Sequence, residues 1–295
     1  MIRLVVVVAL ATAAVQGMAF GPYEGKATGA TALLRQLLDD LRPGTVLLAD
    51  RYYCSYFLVA LALSRGVDVV FRLHQRRGVD FRRGRRLGTD DHVVVWHKPA
   101  RPEWLDAETY AAMPATLTVR EVRTQVRRPG YRIKELVVVT TPTDATADAK
   151  EELTDLYHER WPVELDIRSL KQYLGMDQLR CKTPFMVEKE IWAHLLAYNL
   201  VRKVAAQAAL AQGLSPRGLS FTAVVPALRA SWDRLTTATA GARLALGQGL
   251  LQARGKEEVG KRPDRCEPRA VKRRPKPHPL LTKPRAEARA ELLRQ

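Results

Sequence analysis

The residues best suited to chemistry lie between Tyr157 and Lys171, a stretch reading Tyr-His-Glu-Arg-Trp-Pro-Val-Glu-Leu-Asp-Ile-Arg-Ser-Leu-Lys. Pro162 lacks an amide donor and fits best at the first position of a helix, so a helix is expected to start at Trp161 or Pro162, with Tyr157 and Arg160 before it. On a regular α-helix, positions seven apart drift by only about 20°. Glu164 and Lys171 would therefore share one face with Arg168 between them, while Asp166 points to the other side. One carboxylate beside cations suits a hard metal ion and a phosphate. The same letters also fit an ordinary helix, because a Glu near the start favours the macrodipole and Glu164 to Arg168 is a common i to i+4 pair. A second acid, Asp50, stands at the end of an expected strand, Thr45 to Ala49, followed by a helix from Ser55 to Arg65 and a strand from Val67 to Leu73. In such α/β units sites gather at the carboxyl ends of strands. An Asp there also serves simply to bond turn amides.

The elements that must hold these acids can be read from periodicity. Met1 to Phe20 has the layout of a secretory signal, with Arg3 before an apolar run, yet the Val-rich stretch from Leu4 to Ala9 and the Gly17 to Gly21 turn residues fit a pair of core strands better. Thr28 to Leu41 carries leucines at helical spacing. Arg72 to Arg86 is dense in cations, among them Arg76 and Arg77, and reads as a loop within reach of Asp50. Strands are expected over His92 to Trp96, Thr116 to Val126 and Arg132 to Thr141, which makes a β-rich insertion between Asp50 and Glu164. Ala147 to Glu159 is helical in pattern. Val187 to Gln212 is a long helix whose Trp192, Leu195, Leu196 and Leu200 are assigned to packing, and Phe221 to Trp232 suggests another. Beyond Gly255, Pro alternates with Lys and Arg, a composition that cannot bury a core and predicts a disordered basic tail.

Composition narrows the partners. Among 295 residues, 48 Lys plus Arg against 31 Asp plus Glu leave a net charge of +17, which points to a polyanion. Nucleic acid answers that description; a membrane surface would call for a basic amphipathic helix, and none is found. Three scattered cysteines, Cys54, Cys181 and Cys266, form neither a disulfide framework nor a zinc spacing, and fit a reducing cytoplasm. No Walker loop or nucleophile elbow appears, and no small-molecule substrate is implied.

Tyr157, two residues, Arg160, three residues, Glu164, six residues and Lys171 resembles the Tyr-Arg-Glu-Lys signature of bacterial insertion-sequence transposases of the IS-four type. Leu179 to Arg202 is also similar to these proteins. The resemblance implies an α/β, ribonuclease-H-like core, a mixed sheet flanked by helices and interrupted by a β-rich insertion. It divides the chain into a first part of the core (1–73), the insertion (74–146), the remainder with the signature helix (147–250) and the tail (251–295). It assigns Asp50 and Glu164 as catalytic ligands of Mg²⁺, with Mn²⁺ as substitute, and Tyr157, Arg160 and Lys171 to holding the DNA end, with Arg168, Arg51, Arg76 and Arg77 as further DNA contacts. Two such metals would activate the attacking oxygen and stabilise the leaving one. The family's first catalytic Asp belongs on a strand before Met1 to Ala14, so the chain looks truncated at its amino terminus. The expected partners are transposon ends and target DNA, with a homodimer on DNA and no membrane; the expected place is the bacterial cytoplasm, near the nucleoid. A noncatalytic DNA-binding remnant that regulates transposition is the competing expectation, and an exported basic protein a third.

Overall fold

The apolar run within the first twenty residues folds as a hairpin. In the computed structural model, which describes residues 1–125, 135–242, 247, 249 and 283–294, β1 (Ile2–Val8) and β2 (Val15–Pro22) pair antiparallel as a two-stranded sheet. Its side chains have two destinations. Val5 joins the core formed with Leu33, Leu34 and Leu37 of α1 (Ala30–Leu37). Leu4, Val6, Met18 and Phe20 face the opposite core, with Leu170, Met176 and Ile191. Burying both faces removes apolar surface at about 25 cal/mol per Å² and explains why no polar face is seen in the sequence of β1.

A second sheet has the order β3-β4-β8-β7-β6-β5, in which β3 (Val46–Ala49) and β4 (Asp68–Arg72) are parallel. The remaining neighbours, β5 (Arg85–Gly88), β6 (Asp91–His97), β7 (Thr116–Gln125) and β8 (Glu135–Thr140), are antiparallel. The crossover from β3 to β4 runs through α2 (Tyr56–Leu63), whose first turn is capped by Ser55 Oγ accepting from the Leu58 amide at 3.3 Å. A short helix, α3 (Ala107–Ala112), links β6 to β7 and is capped by Asp106. The β-rich segment thus extends the sheet that β3 and β4 begin. This is the mixed sheet flanked by helices that the sequence implied. Arg85 and Arg86, expected in a loop, lie on β5, and the expected strand from Arg132 is described only from Glu135 onward.

The helices after the sheet carry the signature. α4 (Lys150–His158) packs Leu153 and Tyr157 onto Val70, Val122, Leu136 and Val138. Pro162 then opens α5 (Pro162–Arg168) as expected from its missing donor. A π-helical segment, Ser169–Tyr173, follows, and two helices, α6 (Pro184–Ala211) and α7 (Phe221–Thr237), close the second core. One packing assignment requires correction. Of four α6 residues assigned to the core, Leu195 is buried, but Trp192, Leu196 and Leu200 are more than half exposed; apolar letters at helical spacing do not say which have a neighbour. Residues 283–294 lie in a separate compact unit and carry α8 (Arg285–Leu292). The rest of the basic tail, with Cys266, lies outside the described residues. No helix among the described residues is long and apolar enough to cross a membrane.

Candidate active site

Asp50 is the residue after β3, and the parallel register pairs Ala49 with Phe71, so Asp50 and Arg72 leave neighbouring strands at one level. Asp50 Oδ1 accepts a 2.8 Å hydrogen bond from the Tyr52 amide, which orients the carboxylate and leaves its other oxygen available to a ligand. α4, packed on β4 and β8, brings its last turn over the same end of the sheet. There Tyr157 is buried at 3% exposure. Asp50 and Arg160 are both close enough to act on the ionisation of Arg72 and of Tyr157.

The Tyr157 hydroxyl is pushed up from its ordinary value by burial; the Arg160 and Arg72 guanidiniums oppose the shift and Asp50 adds to it. Arg72 is shifted down by burial, with the Arg51 and Arg160 charges adding to the effect and Tyr157 and Asp50 opposing it. The Tyr53 hydroxyl, beside Asp50, is pushed up to about 12, chiefly by burial and then by the Asp50 charge. Arg160 sits 5.8 Å from the ring centres of both Tyr157 and Trp161 and gives an Nη2 hydrogen bond of 3.3 Å to Glu164 Oε1. Its buried Nε has no hydrogen-bond partner among the described residues. A buried guanidinium N–H without an acceptor is a donor prepared for an anion.

Thus the structure brings Tyr157 and Arg160 beside Asp50, joins Glu164 to Arg160 alone, and adds Arg72, which the sequence showed only as one cation of a run. Its signal was available: a cation at the carboxyl end of the strand parallel to the one that ends at Asp50. The other predicted contacts are placed differently. Arg168 gives its Nε hydrogen bond to Gln172 Oε1 at 2.8 Å rather than pairing with Glu164. Lys171 lies in the π-helical segment, whose wider turn is seen in the Leu174 amide bonding to the Ser169 carbonyl at 3.2 Å. It lines a groove beside β1 with Tyr53 and Ile167. Arg51 is exposed and bonds Gln75 at 2.8 Å. Arg76 is exposed, while Arg77 stacks its guanidinium 3.9 Å from the centre of the Trp96 ring.

Asp166 illustrates how the helix sorts its acids. It is 1% exposed and accepts from Arg202 at 2.6 Å and from Arg217 at 2.7 Å, so it locks α5 to α6 and to the segment before α7. The Glu164 side chain remains 58% exposed. As ligands, Asp50 and Glu164 are hard oxygen donors of the kind Mg²⁺ takes. Among the described residues, however, no group of three His, Cys, Asp or Glu side chains is assembled to hold a metal ion. The donor set fits such an ion in type and is short in number.

Residues 2–200 match the family described as a transposase DDE domain. Over 256 residues the chain is 31% identical to Transposase InsG for insertion sequence element IS4 of Escherichia coli (strain K12), covering 85% of this chain and 55% of that protein. A stretch of 66 residues is 36% identical to the putative transposase InsL for insertion sequence element IS186A of the same organism, covering 22% of this chain and 17% of that protein. The chain therefore spans about half the length of the first of these relatives. Among solved structures, a piggyBac transposase synaptic complex with hairpin DNA is similar over 86% of this chain and 48% of its own, at 11% identity and a TM-score of 0.43.

Proposed function

Since the chain belongs to the transposase DDE-domain family, and within it to the IS4 type, we propose that it acts on DNA at the ends of an insertion element in metal-dependent phosphodiester cleavage and strand transfer. The observation that supports this reading is the approach of Tyr157 and Arg160 to Asp50 and Arg72 at the carboxyl ends of β3 and β4, with Glu164 one helical turn on and bonded to Arg160. In the proposed site Asp50 and Glu164 would hold Mg²⁺, or Mn²⁺ in its place, and the ion would supply activation of the attacking oxygen and stabilisation of the leaving one. The protein's own part is positioning. Arg160, which holds Glu164 through Nη2, would set its positive charge beside a phosphate oxygen. Tyr157 keeps its hydroxyl protonated and donates. Arg72 sets a fixed positive charge behind Asp50, and Arg51 and Arg76 meet the flanking backbone. We read the core as ribonuclease-H-like, the working form as two copies on paired element ends, and the place as the bacterial cytoplasm.

The absence of a third clustered ligand among the described residues favours a second reading, in which this chain binds element ends without cutting them. One experiment separates the two: nicking of DNA bearing the element ends, with Mg²⁺ or Mn²⁺, by the chain and by its Asp50→Ala and Glu164→Ala variants. Metal-dependent nicking abolished in both variants supports the enzyme. No nicking, with salt-sensitive binding unchanged by either substitution, supports the binding protein.

A further inference from the structure

The β-rich segment holds a buried histidine that the site at Asp50 does not use. His92 of β6 is 1% exposed, and the antiparallel register sets it opposite Glu121 of β7, which is 4% exposed. His92 Nε2 lies 3.1 Å from Glu121 Oε2, and the other carboxylate oxygen accepts a 3.0 Å hydrogen bond from Trp96 Nε1. From the same ring, Nδ1 lies 2.7 Å from the Arg83 carbonyl oxygen. A carbonyl oxygen only accepts, as does an ionised carboxylate, whereas a neutral imidazole has one donor nitrogen and one acceptor. Two acceptors facing one ring call for a proton on each nitrogen, so in this arrangement His92 is an imidazolium.

The surroundings of the ring decide which proton it can lose. Phe81 stacks on it with ring centres 4.5 Å apart, and Arg123 lies 4.6 Å from the centre of Phe81. Arg77 is on Trp96. The Cys54 thiol, pushed up to about 11 chiefly by burial, with Arg77 opposing the shift and the Glu121 charge adding to it, stays uncharged. Asp91 is closed in a two-bond pair with Arg120, and Asp80 is paired with Arg82 and Arg83. Glu121 is therefore the carboxylate that the ring answers to. A hydrogen bond to a carboxylate is stronger than one to a neutral carbonyl, so a ring with a single proton keeps it on Nε2. The bond given up is the one to Arg83.

That bond fixes the turn into β5, on which Arg82, Arg83, Arg85 and Arg86 are all exposed. We propose that His92 is a positioning residue for DNA: as an imidazolium it holds this turn in the form that presents the four guanidiniums together to phosphate oxygens, and loss of the Nδ1 proton to solvent releases the turn. DNA affinity then falls as pH rises through the titration of one buried ring. The proposal rests on the reading that the chain binds DNA, and is independent of the chemistry at Asp50 and Glu164.

The test uses the full chain with ¹⁵N-labelled histidine and a DNA duplex of unrelated sequence. The ring nitrogen shifts of His92, identified by their absence from a His92→Asn sample, follow its protonation as pH is raised. Binding isotherms at several salt concentrations and hydrogen exchange at the β5 amides, corrected for its intrinsic pH dependence, are measured in the same buffers. As the ring passes from two protons to one, affinity should fall about tenfold, the equivalent of one charge-assisted hydrogen bond, with a shallower salt dependence and weaker protection of β5. An Asn amide places a donor where Nδ1 stands and a Gln amide places one where Nε2 stands, and neither titrates. His92→Asn should thus bind without this fall, and His92→Gln should bind about tenfold more weakly at every pH; if neither variant folds, the wild-type titration decides. A ring that carries one proton throughout, a ring that keeps both until the chain unfolds, affinity that stays level while the ring loses its proton, or equal affinities of the two variants would each overturn the proposal. Absence of binding at every pH would overturn the DNA-binding reading and this proposal with it, an outcome told apart from the others because the ring and β5 measurements need no DNA.

Discussion

Two acids on one short helix, Glu164 and Asp166, have opposite fates, and helical phase distinguished them before any contact was known. What phase could not supply was the reason, because the partners of Asp166 are Arg202 and Arg217, 36 and 51 residues away. Removing one member of a buried, hydrogen-bonded ion network leaves the others charged and without acceptors, at a cost of about 3 to 5 kcal/mol. Asp166→Ala should therefore lower the denaturant midpoint by that equivalent, while Glu164→Ala, which loses an exposed pair with Arg160, should change stability by less than about 1 kcal/mol and show itself in nicking alone. Equal destabilisation by the two would contradict the division of labour. Phase alone also did not show that Lys171 lies in a π-helical segment, Ser169–Tyr173. At the same end of the sheet, alkaline titration probes the surroundings of Asp50. The Tyr53 hydroxyl is pushed up to about 12 in the folded chain, against about 10 when unfolded. Its raised value stabilises the fold fully below pH about 10, and that contribution is lost as pH rises towards 12, because the unfolded chain releases the proton first. Tyr53→Phe should flatten the fall of the denaturant midpoint across that window; an unchanged slope would mean that Tyr53 ionises as freely folded as unfolded.

The strands expected over His92 to Trp96 and Thr116 to Val126 were found within a residue of their ends, because period two survives wherever one face is buried. β5 was not, since Arg85, Arg86, Leu87 and Gly88 carry no alternation and owe their extended form to antiparallel pairing with β6. The turn before it depends on Gly84, whose φ of +77° is open to glycine, and a Cβ added there would lie 2.2 Å from the Val93 carbonyl oxygen. The Arg83 carbonyl in the same turn accepts a 2.7 Å hydrogen bond from His92 Nδ1. Gly84→Ala should thus force β5 off β6 and cost about 1 to 3 kcal/mol. The cations at Arg82, Arg83, Arg85 and Arg86 would lose their common presentation, so DNA affinity should fall further than a single lost contact explains. Far-UV circular dichroism and a binding isotherm on the same sample would check this; unchanged binding with the turn disrupted would remove β5 from the DNA-facing surface. The exposed Trp192, Leu196 and Leu200 mark the complementary limit, because a sequence shows which letters are apolar and only the fold shows which have something to touch.

Across the whole molecule, alternation specified strands without specifying partners, so the division into a two-stranded and a six-stranded sheet could not be read from the letters. Charge, by contrast, needs no fold to be legible. An excess of +17 suits a polyanionic partner, and the arrangement of the cations decides which of them count. Arg76 is exposed and engages through its backbone amide, 3.2 Å from His74 Nδ1, so its guanidinium is available to a phosphate. Arg77 is already stacked on Trp96 and contributes packing as well as charge. For duplex DNA, each neutralised phosphate adds about 0.9 to the slope of log affinity against log salt. Arg76→Ala should therefore reduce that slope by about 0.9 and weaken binding alike for element-end and unrelated sequences, with the thermal midpoint unmoved. Arg77→Ala should reduce the slope by less and lower the midpoint. Titrations of both variants at several salt concentrations decide the matter. If Arg76→Ala leaves the slope intact, the basic segment after β4 faces away from the DNA, and the electrostatic attraction must be carried by cations elsewhere in the chain.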